Sequence, residues 1–149
     1  MKYDLDRFIQ AQNSGDYEIA LNEMKAGRKK SHWIWYIFPQ LKDLGFSYNA
    51  KYYGIENIDE AREYLAHPVL GPRLIEITEV LLNLKESDPF IVMGGSPDDM
   101  KLQSCMTLFA IASGEENSVF HRVLDKFFGG ETDINTVRLL KDGKTTVRD

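Results

Sequence analysis

Ser31-His32-Trp33-Ile34-Trp35-Tyr36-Ile37-Phe38-Pro39-Gln40 is the stretch whose reading decides the fold. From Trp33 to Phe38 no polar side chain interrupts the run except Tyr36 with its hydroxyl. A helix that is apolar all round is one that its neighbours enclose. The stretch is therefore expected to be a buried helix, capped by Ser31 and ended by Pro39. Each large aromatic hides roughly 150–250 Å². At about 25 cal/mol per Å² the four aromatics supply on the order of 15–25 kcal/mol gross, an upper bound because the unfolded chain already hides some of this surface.

Working outward towards the N-terminus, Arg28-Lys29-Lys30 abuts this run without a spacer. Tyr17, Ala20, Leu21 and Met24 form the inner stripe of a helix capped by Asp16 and stopped at Gly27. Lys25 and the three cations then gather at its C-terminal end, where they complement the helix dipole. Leu5, Phe8 and Ile9 place a short first helix over residues 4–12, and Asn13-Ser14-Gly15 breaks it.

Towards the C-terminus, Asp43 to Ser47 reads as a turn and Tyr48 to Ile55 as a helix interrupted by Gly54. A well-capped helix starts near Ile58 and is closed by His67-Pro68, since the residue before proline avoids the α region. Residues 69–84 carry Leu70, Leu74, Ile77, Leu81 and Leu84 along one side, the clearest long amphipathic helix. Asp88-Pro89 opens a brief turn that Gly94-Gly95 ends. Ser96-Pro97-Asp98-Asp99 has the composition of a capping box, with Met100, Met106, Phe109 and Ile111 giving the following helix its apolar content. Further helices run from Ser118 to Phe128 and from an Asp133 cap to about Leu140, and Lys141 to Asp149 reads as a loose tail. No stretch alternates with period two, and nothing repeats. The expectation is all-α: residues 1–149 as a single compact multi-helical domain of seven or eight helices around a buried aromatic-rich helix.

The chain of 149 residues fits one domain. A formal net charge of −5 argues against non-specific nucleic-acid binding, which depends on phosphate neutralisation. No apolar run approaches the roughly 20 residues that span a bilayer, and MKYDLDRF lacks a signal-peptide core. With Cys105 as the one cysteine, the expected setting is the reducing cytoplasm.

Four blocks together resemble a known family, the domain of unknown function 1810 family of bacterial proteins. They are Gly27 to Gln40, Glu60-Ala61 through Tyr64-Leu65-Ala66-His67-Pro68-Val69-Leu70-Gly71 to Arg73-Leu74, Gly95 to Asp99 with Lys101-Leu102 running into Met106 to Phe109, and Phe120 with Leu124-Asp125 and Phe127-Phe128-Gly129. The resemblance implies a compact, mainly helical fold and brings no reaction with it. Some members carry the label calpastatin, which suits a disordered inhibitor and not a chain with this core-forming composition.

The chemistry-bearing residues are sparse. His32, His67 and His121 are far apart and Cys105 stands alone, so no metal-ligand spacing exists and no metal or cofactor is expected. Asp98 and Asp99 are adjacent and diverge on a helix; Asp99 is placed to reach back to Ser96 and Asp98 to pair with Lys101. Gly94-Gly95-Ser96 resembles a phosphate-cradling loop, but two acids in the following turn would repel a phosphate. His32 is a candidate general base by type, Asp98 is a second catalytic candidate, and no nucleophile accompanies either. Arg28, Lys30, Ser31 and His32, followed by Trp33 and Trp35, make a basic-aromatic junction suited to an anionic, nucleotide-like small molecule, which the protein binds and processes in this reading. Arg73 is a second anion contact. The competing reading is a non-catalytic protein-protein interaction module docking through Tyr48 to Tyr53. A ligand site requires an enclosed polar pocket, and a module an exposed apolar patch.

Overall fold

The computed structural model describes the backbone of residues 2–148 and the side chains of residues 2–142. The regular secondary structure of its described residues is helical, including a 3-10 turn at Lys42–Leu44, apart from an isolated parallel bridge between Leu41 and Ile55. The helices are α1 (Asp6–Ala11), α2 (Tyr17–Lys25), α3 (Ile34–Ile37), α4 (Tyr48–Tyr52), α5 (Ile58–Ala66), α6 (Leu70–Asn83), α7 (Pro89–Val92), α8 (Asp98–Ser113), α9 (Val119–Phe128) and α10 (Ile134–Arg148). A π-type turn over Gln12–Asp16 joins α1 to α2 into one kinked rod. The kink falls at Gly15, whose φ of 99° suits a residue without a Cβ. With the rod counted once there are nine helices among the described residues, slightly more than expected, because several are single turns.

The helix enclosed on every side is α8. Every residue from Ser104 to Ala110 is buried, so all directions around two turns face protein. It packs on α5 and α9, and also touches α7 and α10; α6 lies across α9, α5 and α2. Met100 and Ile111, expected to face the core, are exposed near the two ends of α8. The buried hydroxyls on α8 are satisfied locally and by α10: Thr107 donates to the Gln103 carbonyl and accepts from the Asp133 amide, and Ser104 donates to the Asp133 carboxylate. Asp133 also caps α10 by accepting from the Thr136 amide and hydroxyl. α10 continues beyond Leu140, where a loose tail was expected; the side chains from residue 143 onward lie outside the described residues.

The aromatic segment is buried as expected, but it is not a helix of ten residues. Only Ile34–Ile37 is α-helical, flanked by Trp33 and Phe38 in non-helical conformations. Trp33, Ile34, Ile37 and Phe38 are each 1–2% exposed and Tyr36 is 8% exposed, whereas Trp35 is only partly buried. A continuous apolar run carries no period, so burial was legible and helix length was not. Beyond Pro39 the chain runs extended: the Ile55 amide donates to the Gln40 carbonyl and the Lys42 amide to the Ile55 carbonyl, each at 2.9 Å. Tyr48 to Ile55 is therefore helical only as far as Tyr52. Gly54 is required at this crossing, since a Cβ there would lie 2.4 Å from the Lys42 Cα.

Three expected helix caps are absent because another side chain engages each capping residue. The Asp16 carboxylate accepts the Tyr36 hydroxyl, the Ser31 hydroxyl donates to Glu23, and the Ser96 hydroxyl donates to Asp99 at 2.7 Å. Elsewhere the capping is local. Asn57 and Ser118 accept from the amides three residues on, and His67 Nδ1 accepts from the Val69 and Leu70 amides at the start of α6.

Candidate functional site

The site is built on a partly buried carboxylate. Glu23, in the last turns of α2, accepts from the Lys30 amide, the Ser31 amide, the Ser31 hydroxyl and the Trp33 indole N–H. Burial alone would raise its pKa, but these four donors outweigh it and bring the carboxyl from 4.5 down to about 2. Glu23 thus anchors the backbone that leads from α2 into the aromatic segment. Ser31, expected among the ligand contacts, is engaged inward with Glu23.

The next residue back fixes the segment to the rest of the molecule. The Lys29 amide donates to the Val92 carbonyl at 2.8 Å, beside α7. Gly94 lies so close that a Cβ on it would stand 2.6 Å from the Lys29 carbonyl oxygen. The Gly94-Gly95 loop, which the following acids already made a poor phosphate cradle, is packed against the chain's own backbone. Lys29 is 8% exposed as a residue; its Nζ donates to the Ser31 carbonyl, pairs with Asp98 at 2.9 Å and lies 5.0 Å from the Trp33 ring centroid. Asp98, at the start of α8, is also 3.8 Å from Lys101, whose ammonium sits 5.5 Å over the Trp35 ring.

The structure brings together the Arg28-to-Trp35 segment and the start of α8, but through a residue absent from the expected set of ligand contacts. Lys29 makes the contact, while Arg28, Lys30 and His32 are exposed, with no side-chain partner among the described residues. Trp33 is enclosed, with its N–H committed to Glu23, so it has no open face on which a ligand could stack. Asp98 is held between two lysines and faces no free histidine. Arg73 lies elsewhere: its guanidinium donates to Gln12 at 3.2 Å and stands 5.0 Å from the Tyr17 ring, at the contact of α2 with α6. The expected pairing of Asp98 with Lys101 is present at 3.8 Å, but Lys101 was not among the expected ligand contacts.

Beside this junction lies a small cavity of about 10 Å³, with Trp35, Gln40, Tyr53 and Lys101 among its lining residues. A second, shallower cavity of about 520 Å³ lies between residues 2–6 and His67. Among the described residues no group of His, Cys, Asp and Glu side chains is arranged to hold a metal ion, and no helix is long and apolar enough to cross a membrane. Cys105 is fully buried in α8, and burial pushes its thiol well above the ordinary range. A thiol held protonated in this way is not a nucleophile.

No curated protein matches the chain. Among solved structures, the chain is similar to the crystal structure of the conserved hypothetical protein Rv1873 from Mycobacterium tuberculosis. The two are 44% identical, the match covers 95% of this chain and 99% of that one, and the TM-score is 0.90. The four blocks singled out in the sequence fall inside a single family model, that of the proteins of unknown function termed DUF1810, which matches residues 2–140, and the chain belongs to that family.

Proposed function

We propose that this protein binds a small anionic, nucleotide-like ligand where the aromatic segment meets the start of α8. The observation that supports this reading is the distribution of charge. Arg28, Lys30 and His32 are exposed with no carboxylate partner among the described residues, whereas Glu23, Asp98 and Asp16, acids that touch this segment, are committed to other donors. An acidic protein thereby keeps a local basic rim. The planar guanidinium of Arg28 suits bidentate contact with a phosphate or carboxylate, and Lys30 and His32 add positive or donor groups beside it. Trp35, half-buried, replaces Trp33 as the ring available to a planar group. Turnover is not part of the reading, since His32 has no side chain to orient it as a base.

A thermal-shift screen against nucleotides, dinucleotides and sugar phosphates tests it. A ligand at 100 times its Kd adds about 2.7 kcal/mol of stability. A hit that Arg28→Ala and Lys30→Ala both leave intact removes the site from this rim.

A second reading, a protein-protein interaction module, is favoured by a separate observation. Phe46 is 91% exposed and Tyr48 77% exposed, with Tyr48 stacked on Tyr52 at 5.8 Å between ring centroids. A flat ligand panel, together with a partner whose binding is lost in Phe46→Ser, establishes that reading in place of the first.

A further inference from the structure

We infer that the small cavity beside Trp35 is a subsite for a single anionic oxygen, held by the Trp35 indole N–H, the Gln40 side chain and the Lys101 ammonium. The inference rests on the anionic-ligand reading above and names the group of the ligand that is gripped.

Trp35 Nε1 is the one side-chain nitrogen or oxygen among the described residues that is buried without a hydrogen-bond partner. Native proteins seldom leave such a donor unpaired, and where they do the site calls for an explanation. Trp33, two residues away, provides the contrast, because its N–H is committed to Glu23 at 2.9 Å. Trp35 lines a cavity whose volume, about 10 Å³, is that of one water-sized group. Gln40 and Lys101 line it too, and no carboxylate does. Lys101 is the more loosely held of the two lysines at this junction. Its carboxylate neighbour Asp98 is 3.8 Å away and is held more closely, at 2.9 Å, by Lys29. Two ammonium groups share one carboxylate, so the junction keeps a net positive charge.

The cavity is walled mainly by apolar groups such as Ile34 and Phe38, with the Trp35 N–H and the Lys101 ammonium as its donors and no carboxylate, so an acceptor is the group it takes, and its size admits one oxygen with the rest of the group outside. A terminal carboxylate or phosphate supplies such an oxygen. A neutral carbonyl would leave the Lys101 charge unanswered, and a cation is repelled.

The two indole N–H resonances of the ¹⁵N-labelled full-length protein read this out directly. Sodium formate and inorganic phosphate are titrated separately at constant ionic strength. The expected result is a saturable shift of the Trp35 resonance with the Trp33 resonance unmoved. Lys101→Met, a partly exposed position, weakens that response at least about ten-fold. A response to formate assigns a carboxylate, and a response to phosphate alone assigns a phosphate. No saturable shift with either anion overturns the inference, as does an undiminished response in Lys101→Met. If nucleotides stabilise the protein through Arg28 while the Trp35 resonance never moves, the rim reading survives and the subsite does not. If the Trp35 resonance responds while the whole nucleotide panel is flat, the subsite stands and the nucleotide-like reading falls.

Discussion

Trp33 Nε1 donates to the Glu23 carboxylate at 2.9 Å, so the most enclosed indole of the chain is fixed by an acid ten residues before it. The same carboxylate takes both backbone amides and the hydroxyl of the turn between them. A carboxylate with this many donors is stabilised in its charged form, and protonating it removes acceptors from buried donors. The Glu23 carboxyl titrates at about 2 in the folded protein against 4.5 for an ordinary glutamate. Its contribution to stability is therefore complete above pH 4.5 and is lost as the pH falls towards 2. Glu23→Gln should melt below the parent at pH 7, with the gap narrowing as the pH drops through that window. Melting curves whose separation is constant with pH would show that the network does not depend on the charge.

The aromatic segment separates two neighbouring tryptophans energetically. Trp33 is 1% exposed and packs against Phe38 with ring centroids 6.0 Å apart. Trp33→Ala should cost about 3–5 kcal/mol, the usual loss for a large aromatic removed from a packed core. Trp35→Ala removes a partly exposed ring and an unpaired donor, so it should cost distinctly less. Denaturant unfolding of both variants tests the order, and equal losses would mean that Trp35 is packed as tightly as Trp33.

How far the fold was legible depends on the range of the interaction. The amphipathic stripe of α6, the stop at Gly27, the closure of α5 at His67-Pro68 and the Asp133 cap all follow from residues within one turn of each other, and all are present. Asp16, Ser31 and Ser96 had the composition of caps but are engaged by Tyr36, Glu23 and Asp99. For Asp16 and Ser31 that competition comes from residues many positions away, and a local pattern carries no trace of it. The same holds at the site. In Arg28-Lys29-Lys30 nothing distinguishes the middle residue by type. It turns inward where its amide docks on the Val92 carbonyl, which leaves one buried cation between two exposed ones.

Gly71 marks a close crossing between α5 and α6. A Cβ at that position would lie 2.1 Å from the Leu65 carbonyl oxygen, a backbone atom that cannot swing aside. Gly71→Ala should therefore destabilise by more than about 1–3 kcal/mol, despite the better helix propensity of alanine. Gly15→Ala is the comparison: nothing lies within 4 Å of its Cβ, so only the φ of 99° opposes it. Thermal melts that rank Gly15→Ala as the worse variant would contradict the crossing geometry.

Lys29 and Asp98 form the tether between the aromatic segment and α8. Their side chains are 6% and 22% exposed, so the pair is largely shielded from water. Removing one partner of such a pair leaves an uncompensated charge and typically costs about 3–5 kcal/mol, whereas replacing both can be nearly neutral. Lys29→Met should fall at the lower end of that range, because Asp98 keeps Lys101 at 3.8 Å. Asp98→Asn should be the worse single change, since it leaves two ammonium groups facing each other across the junction with no carboxylate between them. Lys29→Met combined with Asp98→Asn should recover part of the loss. A double-mutant cycle by chemical denaturation measures this coupling, and strictly additive losses would mean that Lys29 is held by its Val92 contact and by Trp33 alone.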